Sequence, residues 1–264
     1  ITYHKIDINW EREKKIDNKK DGYEKKFMDY QNYTFEKRYN EKKSSLITAI
    51  ENGNIEIVEM LLQQKNINIH SKFKSSFQIY LDGYTYCRGR DIKSILYIAS
   101  EKGYSKIVQL LVNRKDIDVN EICNLNDGIT VKALTALHIA VTNQNIDVIK
   151  QLLNAKNINT NCIESDIITY HKCYEKTPLN IAIEKGNSQI VKLLLSNPNT
   201  DVNQIYYFYY HCMVCDAPDY DIPLKKFSPL QMAIENENKD IVKILLETKK
   251  IIINEFGFQR MSDI

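Results

Sequence analysis

The residues best suited to chemistry lie in one stretch late in the chain, where residues 206–220 read YYFYYHCMVCDAPDY. A histidine there adjoins two cysteines in C-x-x-C spacing, and thiolate and imidazole groups are preferred ligands of zinc. A preceding segment supplies a second histidine and a third cysteine. The candidate ligands are His171, Cys173, His211, Cys212 and Cys215. A single C-x-x-C pair is a weak indication of zinc, because free cysteine is also often simply buried. We therefore expect no cofactor and keep zinc as the alternative.

A second group of residues is suited to binding another protein. Tyrosine and arginine are enriched among the residues that dominate protein–protein interfaces. The candidates are Tyr80, Tyr84, Tyr86, Arg88, Arg90, Tyr170, Tyr174, Tyr207, Tyr209 and Tyr220. Around the first of them, Asp82 and Gly83 separate two apolar-aromatic runs, which predicts a projecting β-hairpin. Packing of these aromatic residues onto their own scaffold is the alternative interpretation.

The sequence contains no recognisable catalytic motif. It lacks a glycine-rich phosphate loop, an H-E-x-x-H pair, a nucleophile elbow and the motif set of protein kinases. We therefore predict that the chain is not an enzyme and that it takes no small-molecule substrate.

Composition limits the possible partners and compartments. Hydrophobic residues make up 43% of the 264 residues, which is enough to bury a core. The net charge is only +2, with 36 basic and 34 acidic residues, so nucleic acid is not an expected partner. No apolar run reaches the roughly 18 residues that span a membrane, and we expect no membrane insertion. Six cysteines without a secretion signal favour reduced thiols and a cytoplasmic or nuclear location.

Internal repetition organises the elements that must position these residues. Five gapless segments of 27 residues align with one another. They are residues 44–70, 94–120, 135–161, 177–203 and 228–254. Each begins with a serine or threonine that is suited to cap a helix, and two continue with proline at the first helical position. A leucine and, three residues later, an alanine then lie on one helix face.

Each segment continues through a turn into a second helix. Gly53, Gly103 and Gly186 suit a left-handed residue at the turn, and the asparagines that flank the turn in the other two segments also tolerate that conformation. The second helix has apolar residues at i, i+3 and i+4. One such stripe cannot form a core alone, so the helix-turn-helix hairpins must stack on one another.

The repeated residues resemble a known family. TALHIA, TPLNIA and SPLQMA resemble the T-P-L-H-x-A motif of ankyrin repeats, and GNSQIVKLLL resembles the second half of that repeat. The exits from the repeats, rich in isoleucine, lysine and asparagine, are similar to those of large ankyrin families in unicellular eukaryotes. The resemblance implies an all-α solenoid of five stacked hairpins with long inserted β-hairpin-like fingers, and a structural role for His138. It further implies a scaffold that binds a partner protein through its fingers and concave face, and we expect a monomer.

The remaining segments complete the expected domain organisation. Residues 1–9 resemble the exit of a repeat, which predicts that the chain is part of a longer array. Residues 10–43 are charged and aromatic, and three aromatics at i, i+4 and i+7 predict one amphipathic helix or a disordered insertion. Residues 44–264 form the expected ankyrin-repeat domain. Two further hypotheses are a zinc-stapled ankyrin module and the substrate-recruiting segment of a larger multidomain enzyme.

Overall fold

A computed structural model describes residues 12–18, 35–81, 84–126, 130–168, 172–209 and 223–253. Within these ranges ten helices form five hairpins, and the two helices of each hairpin pack against each other. The helices are α1 (Ser45–Glu51), α2 (Ile55–Leu62), α3 (Ile95–Glu101), α4 (Ser105–Val112), α5 (Ala136–Thr142), α6 (Ile146–Leu153), α7 (Pro178–Glu184), α8 (Ser188–Leu195), α9 (Pro229–Glu235) and α10 (Lys239–Glu247). In this part of the chain, no helix has the length and apolar character needed to span a membrane.

The first helix of each hairpin begins directly after the predicted hydroxyl residue. In four hairpins this side chain accepts a hydrogen bond from a backbone N–H of the first turn, which would otherwise lack a partner. The four capping residues are Ser44, Ser94, Thr177 and Ser228. Two of these helices also begin with proline, where the missing N–H costs no hydrogen bond. The predicted helix starts are confirmed.

The turn within each hairpin contains one left-handed residue. Gly53, Gly103 and Gly186 have φ of 68°, 79° and 68°, as predicted from their flexibility. In the other two hairpins the left-handed residues are Gln144, with φ of 55°, and Glu237, with φ of 54°. The role given to the flanking asparagines was therefore wrong. The turn geometry fixes which position is left-handed. A residue less suited than glycine to the left-handed conformation adopts that conformation when the two flanking helices require it.

Stacking of the hairpins buries the predicted apolar stripe. The stripe residues Val58, Val108, Ile149 and Val191 have no exposed surface. The alanine of each first helix is also buried, and the first helices of successive hairpins pack directly against one another. A small side chain at this position lets the helix backbones approach closely. The core is therefore continuous along the array, as expected of a solenoid.

Asparagines join the loops that leave successive hairpins. In the best example, the Asn161 side-chain amide donates to the carbonyl oxygen of Asn199 at 2.7 Å and accepts from the N–H of Asp201 at 2.8 Å. Asn120 and Asn203 make the same double bridge to the next loop along the chain. We call these three bridges the exit-loop ladder. In the first exit loop, His70 occupies the equivalent position.

The segments between hairpins form a ten-stranded antiparallel sheet. The strands are β1 (Arg12–Asn18), β2 (Phe35–Lys43), β3 (Phe73–Leu81), β4 (Tyr84–Lys93), β5 (Cys123–Asn126), β6 (Thr130–Leu134), β7 (Glu164–Ile168), β8 (Lys172–Lys176), β9 (Tyr206–Tyr209) and β10 (Pro223–Phe227). They follow one another in sequence order across the sheet. Two successive strands form each finger, and the neighbouring fingers pair edge to edge.

The predicted all-α class is therefore wrong, although the fingers themselves were expected. Stacked hairpins hold neighbouring fingers side by side, so that the second strand of one finger can pair with the first strand of the next. Lys42 lies opposite Lys74, for example, and Ala133 lies opposite Ser165. This pairing satisfies backbone groups that an isolated finger would leave exposed at its edges.

The described ends of residues 10–43 are strands, whereas the helix or disordered insertion predicted for this segment is centred on residues outside the described ranges. Its two ends form β1 and β2, which pair with each other and extend the sheet from β3. The register places Lys14 opposite Glu41 and Asp17 opposite Arg38. The three aromatics that suggested a helix lie outside the described residues.

Candidate protein-binding surface

The sheet has two chemically different faces. Along β3, Phe73 is 8% exposed whereas Lys74 is exposed, and along β4 Gly89 is buried whereas Arg90 is exposed. This alternation is that of a strand with one covered face. We call the covered side, which meets the hairpins, the inner face, and we call the opposite side the outer face.

On the inner face, a row of ion pairs connects the sheet to the first helices. Lysine ends a strand directly before three of the helix caps, and it reaches a glutamate eight residues later at the end of the helix. The pairs are Lys43–Glu51 at 2.9 Å, Lys93–Glu101 at 2.9 Å and Lys176–Glu184 at 2.7 Å. We call this strip, where the strand ends meet the ends of the first helices, the sheet–helix corner.

The same lysines also lie over aromatic rings. The distances from Nζ to the ring centroid are 5.0 Å for Lys43 over Phe73, 5.6 Å for Lys93 over Tyr97 and 5.7 Å for Lys176 over Tyr206. Each ammonium group is thus held by a carboxylate and by the face of a ring. The corner therefore presents fixed charges rather than freely moving lysines.

Lys43 shows how these contacts affect its charge. Burial disfavours the ammonium form, but hydrogen bonds to Glu51 and Glu41 outweigh that effect and raise the pKa of Lys43 above its ordinary value. The Lys43 ammonium is 3.1 Å from Glu41 on the same strand as well as 2.9 Å from Glu51. It remains charged throughout the physiological pH range.

The corner changes chemistry along the array. In the third hairpin Leu134 and Thr142 occupy the positions of the lysine and the glutamate, and in the fifth hairpin Phe227 stands in place of the lysine. Leu134 is 6% exposed and Phe227 is half-buried. The lysine–glutamate pair is thus present in the first, second and fourth hairpins and absent from the third and fifth, and such a pattern of charge can discriminate between partners.

Exposed polar residues line the helix side of the corner. The residue that directly follows each first helix is exposed in all five hairpins. These residues are Asn52, Lys102, Asn143, Lys185 and Asn236. In four hairpins they follow directly after a glutamate, and in the third hairpin Asn143 follows Thr142. A molecule that lies along the corner therefore meets both groups in four hairpins. The sequence interpretation missed this strip, although the recurring lysine before the cap and glutamate in the helix could have indicated it.

Two of the predicted binding residues have described side chains. Arg90 is exposed on the outer face. Tyr207 is half-buried, and the Nζ atom of Lys226 lies 5.8 Å from its ring centroid. Its neighbour Tyr206 is 7% exposed and stacks on Phe227 with 5.9 Å between ring centroids. The aromatic finger therefore packs one tyrosine into the scaffold and leaves the next partly accessible.

The other predicted binding residues are placed only by their backbone or not at all. Tyr80 pairs with Thr85, Tyr84 with Leu81 and Arg88 with Gln78, which places them in β3 and β4. These pairings confirm a hairpin around Asp82 and Gly83. Tyr86 is also in β4, while Tyr174 is in β8 and Tyr209 is in β9. Tyr170 and Tyr220 lie outside the described residues.

The proposed zinc ligands fall almost entirely outside the described residues. Of the five, only Cys173 has a described backbone, in β8 opposite Ile167 and Tyr209. His171, His211 and the C-x-x-C pair lie beyond the described ranges, so zinc remains a hypothesis. Within those ranges no group of three or more histidine, cysteine, aspartate or glutamate residues could hold a metal ion.

His138 has a structural environment. Its Nδ1 atom accepts from the N–H of Thr135 at 3.2 Å, and its Nε2 atom lies 3.0 Å from the carbonyl oxygen of Cys162. These contacts select the neutral ring with the proton on Nε2. Burial lowers the pKa of His138 to about 4, and the hydrogen bond to Cys162 only partly opposes this effect. His138 thus caps α5 and ties it to the following loop.

Comparison with protein families agrees with this architecture. A model of a single ankyrin repeat matches residues 42–72, and a model of three ankyrin repeats matches residues 78–164 and 96–206. The chain belongs to the ankyrin-repeat family. No curated protein matches this ankyrin-repeat chain. The matched ranges cover the first four helical hairpins, the complete fingers β5–β6 and β7–β8 and most of the finger β3–β4, whereas α9 and α10 lie beyond them.

Proposed function

We propose that this protein is a scaffold that binds a partner protein through its fingers and its concave face, which includes the sheet–helix corner. Ankyrin repeats are generally protein–protein interaction modules. The observation that supports the proposal is the corner itself, where Lys43, Lys93 and Lys176 are each held by a glutamate and an aromatic ring. Groups that are already ordered lose little conformational entropy on binding.

The continuous sheet supports the same function. Fingers that pair along their edges cannot move independently, so the sheet offers one extended surface instead of separate loops. Its tyrosines and arginines supply side chains that commonly anchor protein interfaces. We propose that Arg90 and Tyr207 contact the partner, together with the other predicted finger residues.

We propose that α9 and α10 form a fifth ankyrin repeat. Ser228 and Gln231 form the reciprocal capping pair that Thr177 and Asn180 form in the preceding repeat. The side chain of Asn238 also reaches the carbonyl oxygen of Gly186 at 3.4 Å, which joins the turns of the two hairpins. These features repeat the geometry of the matched hairpins.

The remaining features of the proposal follow from the family and the composition. We propose that the protein acts as a monomer in the cytoplasm or nucleus, without catalytic activity, a small-molecule substrate or a nucleic-acid partner. The free thiols of Cys123 and Cys162 are consistent with a reducing compartment.

Crosslinking of the purified chain in cell extract, followed by mass spectrometry, tests the proposal. The captured protein is then produced separately and its affinity is measured by calorimetry. The variant Lys102→Glu with Lys185→Glu reverses two exposed charges at the corner, and we expect it to weaken binding at least about tenfold.

A matched control separates the corner from general charge effects. Lys106→Glu with Lys192→Glu makes the same charge change on the second helices, where both lysines are exposed. We expect this control to bind within about twofold of the original protein, because an interaction at the corner does not involve that surface. Equal losses in the two variants, or no crosslinked partner, would overturn the proposal.

A further inference from the structure

The outer face of the first fingers is basic. Lys42, Lys74, Ser76 and Arg90 are all exposed there, on β2, β3 and β4. Lys42 lies directly opposite Lys74, and Ser76 lies directly opposite Arg90. Three cationic side chains therefore share a small area that spans three neighbouring strands.

This arrangement does not stabilise the sheet. Like charges that are directly opposite in an antiparallel pair repel each other. On the inner face, by contrast, Lys43 and Lys93 each have a glutamate partner at 2.9 Å. The described side chains on the outer face of these three strands are basic, hydroxyl or aliphatic. On β1, the register places Glu13 opposite Lys42, so Lys74 and Arg90 are the outer cations that best match an anionic surface of another molecule.

An aliphatic ridge continues the same face. Ile122 is 57% exposed and Ile163 is 47% exposed, while Ile205 is half-buried. Each directly precedes the first strand of a finger, namely β5, β7 and β9. These strands are two positions apart in the sheet, which separates neighbouring isoleucines by about 10 Å. Lys72 holds the equivalent position before β3, where it pairs with Glu121 at 2.7 Å.

We infer that this outer face binds an extended acidic peptide segment of a partner protein. Carboxylates of the segment lie against Lys42, Lys74 and Arg90, and its apolar side chains lie on the isoleucine ridge. From β3 to β9 the surface spans six strand spacings, or about 29 Å, which an extended segment of about nine residues covers. The inference rests on the proposed binding function and adds the chemistry of the partner.

A protein segment fits this surface better than single-stranded nucleic acid does. Nucleic acid would use the cations but would also require exposed aromatic rings on which bases stack. Among the side chains that the structure describes on this face, the ridge consists of isoleucines, and Tyr207 at its far end is half-buried with Lys226 over its ring. Charge and aliphatic surface together select an acidic peptide that also has apolar side chains.

The test uses fluorescence anisotropy with the full chain. The probe is a fluorescein-labelled peptide of about ten residues that alternates glutamate and leucine, because this length spans the surface. A peptide that alternates lysine and leucine and a labelled oligothymidine of similar length serve as comparison probes. The variants are Lys42→Glu with Lys74→Glu, and Ile122→Ser with Ile163→Ser, and thermal melting verifies that each is folded.

We expect the acidic peptide to bind with a Kd below about 100 µM and the lysine peptide not to bind. The double glutamate variant should lose at least about tenfold in affinity, and the double serine variant at least about threefold, since each removes one part of the complementarity. Lys106→Glu with Lys192→Glu should retain binding. Added salt should weaken binding to the original protein but not abolish it, because the apolar contacts persist.

Several outcomes would overturn the inference. The first is that the acidic peptide does not bind, and the second is that the original protein and the double glutamate variant bind it equally well. The third is that oligothymidine displaces the peptide while the double serine variant binds the peptide as tightly as the original protein does. The corner variants then separate this failure from failure of the proposed function. If the crosslinked partner still depends on Lys102 and Lys185, the binding function stands and only the acidic-peptide site is lost.

Discussion

The imidazole of His138 is fully buried and makes hydrogen bonds through both of its ring nitrogens. Protonation at Nδ1 would remove the acceptor for the N–H of Thr135 and place a charge in the core. In the unfolded chain the group titrates near 6.5, whereas in the folded protein burial lowers its pKa to about 4. Between these values the unfolded state binds more protons, so the free energy of unfolding rises with pH.

We therefore expect the His138 contribution to be complete above about pH 6.5 and to be lost as pH falls towards about 4. The full difference corresponds to about 3 kcal/mol, and about 2 kcal/mol of it is lost at about pH 5. Urea unfolding, followed by circular dichroism above about pH 6.5 and again at about pH 5, measures this loss.

His138→Asn is the matched control, because Asn180 occupies the same position in the next hairpin. The Asn180 side-chain oxygen accepts from the N–H of Thr177 at 3.0 Å, as the ring nitrogen of His138 does from Thr135. The variant should lose about 1 kcal/mol at neutral pH, since it abandons the carbonyl of Cys162. It should also lose most of the pH dependence between about 4 and 6.5. An unchanged slope would show that other groups cause it.

At the scale of the element, the exit-loop ladder explains why asparagine ends the second, third and fourth repeats. One amide side chain both donates and accepts, so Asn161 joins two backbone groups of the next loop without leaving a polar atom unmatched. We expect Asn161→Ala to lower the free energy of unfolding by about 1 to 2 kcal/mol, because two hydrogen bonds disappear. Chemical denaturation of the purified variant provides the measurement.

His70→Ala serves as the reference for the ladder prediction. His70 is exposed and stands at the equivalent position in the first exit loop, in place of an asparagine. Its removal should change stability by less than about 0.5 kcal/mol, as is usual for exposed side chains. If both substitutions cost the same amount, the bridges contribute no more than loop composition does.

The helices were predictable from the sequence because their determinants are local. The hydroxyl cap, the proline after it and the apolar spacing of a second helix all lie within one 27-residue segment. The sheet was not predictable in the same way. The pairing of Lys42 with Lys74 joins residues on either side of the α1–α2 hairpin, which become neighbours only after that hairpin has folded. The strand character of residues 12–18 likewise depends on the edge of β2 being available.

The binding surface was predictable in residue type but not in geometry. Tyrosine and arginine indicated the fingers, yet adjacent residues on a strand face opposite sides, and only the fold shows that Tyr206 is buried while Tyr207 is partly accessible. The Lys93–Glu101 pair is visible as a spacing in the sequence. Its position between sheet and helix depends on the angle at which the finger leaves the hairpin.

For the molecule as a whole, stability should vary along the array, because each hairpin is covered by its neighbours to a different extent. Ile183 has no exposed surface, whereas Ile234 at the same position of the fifth hairpin is 55% exposed. Leu246 of that hairpin is 48% exposed. Repeat arrays derive much of their stability from the interfaces between neighbours. We therefore expect backbone amides of α10 to exchange with solvent faster than those of α8.

Substitution of equivalent valines tests this gradient directly. Val191 is fully buried in α8, and Val242 is half-buried at the same position of α10. Val191→Ala should lower the free energy of unfolding by about 2 to 3 kcal/mol, and Val242→Ala by about 1 kcal/mol, because the cost of a lost side chain grows with its burial. Hydrogen exchange and urea unfolding of both variants measure the difference. Equal costs would mean that the face of α10 around Val242 is covered in solution, and crosslinking of the same sample would then identify what covers it.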